Sequence, residues 1–514
     1  MLASGRGVAH DGTVTGAARL TRWVAIALGL ALVACSGSTA HSDRTQVGTA
    51  PVATTSSGLP PAVAQTAPAP VTATTTGASL SGPVPGGGPA GSDWPTYHGD
   101  GARSGWTTAG PTGSGSPRRA WAARVDGAVY AVPVAAAGLV VVATEHDVVT
   151  ALDAETGAVR WSRTLGAPVD AESLPCGDIS PSGITGTPVI DTTAGVVHVV
   201  AFTAPAEHHL VTLDLVTGAE RSRVAVDPPG LDAKVEQQRG ALTVANGRVY
   251  VPFGGLYGDC GAYKGAMVSA PVADLDHTTG AVAPTLQSWE TTARREAALW
   301  APPGPVVGAD GSLWVATGNA GHASGQSFDG GDAVVHLTPD LRQMDVFAPS
   351  EWRQQAEDDA DLGSSSPMLV GGEVVQAGKT GDAYLLDGGR LGGVGGQQAS
   401  THACAGVYGG AAVLDGVVYL PCRNGVTALR VSIPPALAVM WHGPSFTAGG
   451  PVIAGGAVWA PDLDAGDLVA LDPATGAERT RTHVGKLAHF ASIGLARGRL
   501  VMATTDGTVV AYGP

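Results

Sequence analysis

This chain is short of charge and of aromatic residues, and the charge it does carry has the wrong sign for nucleic acid. Of its 514 residues 14% are charged and 5% aromatic, and 29 Lys and Arg stand against 44 Asp and Glu, for a formal net charge of -15. A nucleic-acid footprint needs a Lys/Arg-rich face, so that class of partner is excluded. The chain has 5 cysteines, yet no Cys-x-x-Cys and no Cys-x-x-Cys-His occurs, which removes thiolate zinc sites and covalent haem attachment. Ser364-Ser365-Ser366 is not flanked by the glycines of a nucleophile elbow, so a hydrolase reading has no support. After residue 35 there is no run of about 20 apolar residues, and nothing there can cross a bilayer as a helix. What is abundant is glycine, 74 residues, and proline, 36, within a composition that is 44% hydrophobic. Many turns around a large core point to an all-β fold.

The N-terminal 92 residues divide in two. Arg19 and Arg22 precede an apolar run from Trp23 to Ala34, too short to span a bilayer and of the length of a secretory h-region. It ends Leu32-Val33-Ala34-Cys35, which resembles the lipobox of bacterial lipoproteins. That resemblance implies cleavage before Cys35 and lipidation of its thiol, with residues 1–35 as signal peptide and the protein lipid-anchored outside the cytoplasm. Residues 36–92 are rich in Thr, Ala, Pro, Ser and Gly and cannot bury enough apolar surface to offset chain entropy, so they are expected to form a disordered tether. The folded domain is expected over 93–514.

Within that domain one short turn recurs. Asp153, Thr156, Gly157 and Trp161 belong to the fullest copy; Asp214 and Gly218, Asp276 and Gly280, and Asp472 and Gly476 repeat its Asp-x-x-Thr-Gly spacing. Each copy follows an apolar, β-branched run, so the Asp and Gly serve a strand-to-strand turn in which Gly supplies a positive φ. With Thr338, Asp387, Arg430 and Gly513 at equivalent places, eight units emerge. The later ones are spaced as a four-stranded propeller blade requires. The predicted fold is an eight-bladed β-propeller. Its last blade ends before its outermost strand, and the segment from Ala120 to Val125 is expected to complete it.

The Ala-x-Asp-x-x-Thr-Gly-x-x-x-Trp pattern resembles the repeat of the pyrroloquinoline quinone (PQQ) propeller family, and the opening from Asp93 to Gly105 is similar to the start of many secreted members. Ser222 and Thr480 stand where the pattern has Trp, so blade docking there is expected to use other residues. The resemblance implies quinoprotein dehydrogenases, BamB-type outer-membrane assembly lipoproteins or actinobacterial envelope proteins, and the fold does not choose among them. A dehydrogenase would carry adjacent cysteines over the quinone, a Trp platform and Glu, Asn and Asp around calcium. No Cys-Cys dipeptide exists here, and Trp300, Trp314 and Trp459 are the platform candidates.

In such blades the Asp-x-x-Thr-Gly turns lie on one face, and the long insertions at 167–184, 254–267, 318–332, 347–365 and 391–406 are expected on the other. Loops on a rigid scaffold carry recognition. Cys176, Cys260, Cys404 and Cys422 map to that loop face, an even number in a chain routed to an oxidising compartment. Three pairings are open, and the map favours Cys176 with Cys260 and Cys404 with Cys422. The acidic stretches around Asp329 and Asp332, 357–361 and 462–467 are read as turn formers, His208, His209 and His322 as solvated loop residues, and His336 as a packed strand residue. The expected function is a non-catalytic, monomeric envelope module binding a protein, peptide or glycan through its loop face. No catalytic residue, metal or cofactor is expected, with PQQ plus calcium, or BamB-like scaffolding, as the alternatives.

Overall fold

The computed structural model describes residues 93–275, 284–321 and 327–513. Strands form where Val, Leu, Ile and Ala run together: Leu139–Ala143 and Val148–Asp153 are buried almost throughout, because each blade is covered on both faces by its neighbours. The outermost strands read differently. In Val159–Thr164 only Trp161 is buried, as expected of a rim strand with solvent beyond it.

Eight antiparallel sheets result. Blade 1 runs Val134–Ala136, Leu139–Ala143, Val148–Asp153 and Val159–Thr164 from the axis outward. Blade 2 uses Val189–Asp191, Val196–Thr203, Glu207–Asp214 and Glu220–Ala225, and blade 3 Thr243–Ala245, Arg248–Gly255, Ala266–Pro271 and Gln287–Glu290. Blade 4 uses Val306–Val307, Leu313–Ala316, Val334–Leu337 and Gln343–Ala348, and blade 5 Met368–Val370, Glu373–Ala377, Asp382–Asp387 and Ala399–His402. Blade 6 uses Ala412–Leu414, Val417–Cys422, Gly425–Ser432 and Ala436–His442, and blade 7 Val452–Ala454, Ala457–Asp462, Asp467–Leu471 and Glu478–His483. Blade 8 has Gly494–Ala496, Arg499–Ala503 and Thr508–Tyr512 from the C-terminus, and its outermost strand is Arg119–Arg124, antiparallel to Thr508–Tyr512. The ring is closed by its own N-terminal segment, which removes the free edge of an open array.

The repeated turn has one geometry wherever it is described. Asp153 Oδ1 accepts the N–H groups of Glu155 and Thr156 and the Thr156 hydroxyl, while Gly157 sits at φ +73°. Asp153 Oδ2 pairs with Arg160 at 2.6 Å. The same contacts recur for Asp214 with Thr217 and Arg221, and for Asp472 with Thr475 and Arg479. Asp276 and Gly280 lie outside the described residues. In blade 6 the third strand continues past Arg430 to Ser432, so that turn is displaced by two residues.

Glycine is required in the turn because a tryptophan of the preceding blade lies on it. A Cβ at Gly157 would sit 2.6 Å from the ring of Trp121, and one at Gly218 2.6 Å from Trp161. The indole N–H groups complete the dock, Trp121 donating to Ala154 O at 3.1 Å and Trp161 to Leu215 O at 2.9 Å. Trp441 of blade 6 caps Gly476 of blade 7 in the same way and donates to Pro473 O at 3.1 Å. Where Ser222 replaces the ring, its hydroxyl donates to Leu275 O at 2.7 Å.

Residues 94–107 thread the ring near its axis. Trp94 bridges Ala135 of blade 1, Pro95 O accepts from Ile190 of blade 2, and Gly101 O from Val307 of blade 4. Ser104 O then accepts from Val413 of blade 6, and Trp106–Thr107 pairs in parallel with Val452–Ala454 of blade 7. Innermost strands leave backbone groups facing the axis without a strand partner, and this segment satisfies them. One expected placement needs correction. Only part of 391–406 lies on the loop face: residues 388–398 connect the third and fourth strands of blade 5, the side of the repeated turns, and Gly393–Val394 packs in parallel on the rim strand of blade 4.

Replacing Trp161 by Ala removes both the ring over Gly218 and its hydrogen bond. The expected loss is about 3–5 kcal/mol, read as a lower urea midpoint. An unchanged midpoint would show that the dock does not hold blades 1 and 2 together. Arg partners and then Thr donors hold Asp153, Asp214 and Asp472 low, the latter two at about 2. Folded values below the unfolded ones mean that this contribution is present above pH ~4 and is lost as pH falls toward 2. Arg221→Gln should therefore flatten the acid side of the stability profile measured by denaturant titration, and an unaltered slope would remove the pair from it.

Candidate functional site

The loop face opens at the axis into a cavity of about 520 Å³. Its walls come from connections far apart in sequence. Asp178 arrives on the insertion between blades 1 and 2, Tyr257 and Tyr263 on that inside blade 3, and Asn319 on that inside blade 4. Asp359 and Asp361 come from between blades 4 and 5, Tyr408 from between blades 5 and 6, and His489 and Phe490 from between blades 7 and 8. Arg239 and Trp300 enter from the leads into blades 3 and 4. Beyond Arg239 and Phe490 a much smaller space runs down to Tyr97 of the axial segment. Tyr97 and His98 are fully buried there, with the Tyr97 hydroxyl accepting from Gly410 N and His98 bonded to Ala411 O and the Ser492 hydroxyl. The channel is thus open at the loop face and closed below.

One wall is charged. Lys379 Nζ lies 2.5 Å from Asp361 Oδ2 and 2.9 Å from Asp359 Oδ1, and 5.8 Å from the centre of the Trp300 ring. Asn319 donates its backbone N–H to Asp361 Oδ1 at 2.6 Å and its side-chain amide to Asp359 Oδ1 at 3.2 Å. Burial acts to lower the ammonium's pKa, and the two carboxylates more than offset it, so Lys379 is held above its ordinary value. Behind it Asp332 is fully buried, accepts from Leu362 N at 2.9 Å, and is pushed well up by burial and then by Asp361. The other wall is aromatic. The rings of Trp300 and Phe490 lie 5.6 Å apart at 49°, and those of Tyr408 and Phe490 are stacked at 6.1 Å.

The structure pairs Cys176 with Cys260 and Cys404 with Cys422. The first bond ties the Asp178 insertion to the Tyr257 insertion, so two walls of the cavity are fastened to each other. Of the three platform candidates only Trp300 reaches the cavity; Trp314 stacks on His336 at 3.7 Å inside blade 4, and Trp459 is fully buried in blade 7. His208 corrects the reading of a solvated loop residue. It lies in a strand, 1% exposed, stacked on Phe202 and bonded through Nδ1 to Asp227 at 2.7 Å. Its neighbour His209 points to the opposite side of that strand, and His322 and Cys35 lie outside the described residues.

A calcium-bound quinone does not fit these residues. Asp359 and Asp361 share the ammonium of Lys379, and no group of three His, Cys, Asp or Glu able to hold a metal ion occurs among the described residues. The ring of Phe490 lies 5.6 Å from that of Trp300, tilted by 49°, and the chain has no adjacent cysteines to cover a flat ring. Sequence reasoning missed Arg239, Lys379, Tyr408 and Phe490, since none lies in a motif; only their neighbourhood to connections between strands could have pointed to them.

A second buried acidic pair lies in the loop between the second and third strands of blade 1. Glu145 Oε2 accepts from Gly183 N at 2.7 Å and from the Thr185 hydroxyl at 3.2 Å, its other oxygen has no hydrogen-bond partner, and Asp147 beside it is fully buried. Burial pushes Glu145 up to about 7 and, with Glu145 adding to it, Asp147 up to about 8.

The family model described as outer membrane protein assembly factor BamB matches residues 105–479. Among solved structures, the quinohemoprotein alcohol dehydrogenase from Comamonas testosteroni superposes with a TM-score of 0.63 at 16% identity, over 82% of this chain and 81% of that one. BamB from Moraxella catarrhalis gives 0.54 at 14% identity, over 77% and 100%. A europium-containing methanol dehydrogenase gives 0.57 at 14%, over 82% and 89%. At these identities the likeness is one of fold. No curated protein matches the chain in sequence.

For Asp147 the folded pKa lies above the unfolded one, so its stabilising contribution is full below pH ~4 and is lost as pH rises through about 8. Asp147→Asn is expected to remove part of that loss. Relative to the parent, its denaturant midpoint should rise steadily between pH 5 and pH 8.5, and parallel profiles for the two proteins would contradict the assignment.

Proposed function

This chain belongs to the BamB-type family of PQQ-like β-propellers, and on that footing we propose that it is a non-catalytic binding module of the cell envelope, taking a protein partner through the axial cavity of its loop face. The observation that carries this reading is the convergence of loops from around the ring on one cavity whose floor is sealed by the chain's own N-terminal segment. A sealed floor gives an anchor pocket, not a passage. Aromatic walls and a few placed charges are what an anchoring side chain or chain end requires. Cys35, through lipidation, and the stretch 36–92 would tether the module outside the cytoplasm with reach to spare.

Capture from envelope extracts tests the reading. The parent protein should retain a protein partner that the double variant Trp300→Ala, Tyr257→Ser loses, with the fold of the variant confirmed by its melting curve. Equal retention by both would move recognition away from the cavity. Addition of PQQ and calcium should give no dye reduction with alcohols or sugars; sustained turnover would replace the binding module by an oxidoreductase. Cys35→Ser should shift the protein from the membrane fraction to the soluble one.

A further inference from the structure

Two guanidinium groups lie near the axis, and their surroundings treat them differently. Both terminal nitrogens of Arg103 are satisfied, although its Nε, like that of Arg239, has no partner. Its Nη1 donates to the Thr96 hydroxyl and to Tyr97 O, and its Nη2 to Leu242 O at 3.1 Å and to the Thr243 hydroxyl at 2.5 Å. Arg239 makes one long hydrogen bond, from Nη2 to His489 O at 3.3 Å, and its Nε is buried without a partner. Its guanidinium carbon lies 4.8 Å from the centre of the Phe490 ring. It forms no ion pair among the described residues; Glu145 and Asp178 act on it only through space.

Arg239 is part-exposed to the cavity and has no counter-ion beside it among the described residues, and the planar fork of donors of a guanidinium matches a carboxylate. Arg239 lines both the cavity and the smaller space below it, so an anion that reaches it must come through the open mouth. We propose that the cavity captures the free C-terminal carboxylate of a polypeptide on Arg239, with the last side chain of that polypeptide against Trp300 and Tyr408. This rests on the reading of the cavity as a protein-binding site and names the part of the partner that enters it.

The rim decides which carboxylate. Asp178, Asp259 and Asp359 are exposed around the mouth and would repel a polyanionic glycan at every repeat. A polypeptide end carries a single terminal charge to the bottom, while its amide N–H groups and any basic side chains upstream meet the rim acids. Capture of a terminal carboxylate is an established mode of peptide recognition, and an aromatic or large aliphatic final residue would use the ring walls.

The test uses two pools of hexapeptides randomised at their last three positions, one with free C-termini and one amidated, passed over the immobilised protein. The free-acid pool should be retained and enriched in aromatic or large apolar final residues, and an enriched peptide should lose about tenfold or more in affinity on amidation. Arg239→Gln should lose a similar factor and Arg239→Lys less, with melting temperatures compared to confirm folding. Equal retention of the two pools would overturn the carboxylate assignment and leave the binding-module reading intact. Retention of neither pool would also overturn it, and capture of a partner from extracts would then judge the broader reading separately.

Discussion

A blade of this protein cannot stand alone, and that constraint organises everything else. Its inner strands are apolar on both faces, so each needs a neighbour on either side, and only a closed ring gives every blade two. Closure has two devices. Arg119–Arg124 supplies the missing strand of blade 8, and Trp121 on that strand docks on the turn of blade 1. One segment therefore joins the ends of the ring both through backbone pairing and through the same indole-on-glycine contact that links blades 1 and 2.

The requirement also accounts for the axial segment. Eight inner strands converge on the axis with unsatisfied backbone groups, and 94–107 passes among them before the chain begins its first blade. Because this segment fills the lower part of the channel, what remains is a closed-bottom cavity at the loop face. The cavity is in that sense a by-product of how the ring is sealed, and loops then furnish its lining. The Cys176–Cys260 bond fastens two of those loops, which gives the rim a rigidity that long connections lack by themselves.

The charges at the site follow the same logic of enclosure. Lys379 sits between Asp359 and Asp361 and is paired with both. Arg239, across the cavity, has no such partner among the described residues. The difference between these two cations directs the carboxylate proposal, and the family likeness does not, since the same ring is shared by proteins with and without redox chemistry in their names.

Much of the fold was legible in the chain itself. The Asp-x-x-Thr-Gly turns, the alternation of apolar runs with Gly turns and the truncated last unit were enough to count blades and to find the closing strand, because these are local patterns with a fixed period. The arginine seven residues after Asp153, Asp214 and Asp472, and Trp441 as a third docking ring, were present in the same pattern but were overlooked. His208 and 388–398 were misplaced because burial and packing on a neighbouring blade leave no local trace. Arg239, Trp300, Lys379, Tyr408 and Phe490 are spread over some 250 residues, and nothing in their own neighbourhoods marks them as one site. The sequence alone determined the repeat, and the repeat determines the ring through periodic apolar faces. Which side chains meet at the axis was decided only when closure of that ring brought non-periodic loops together.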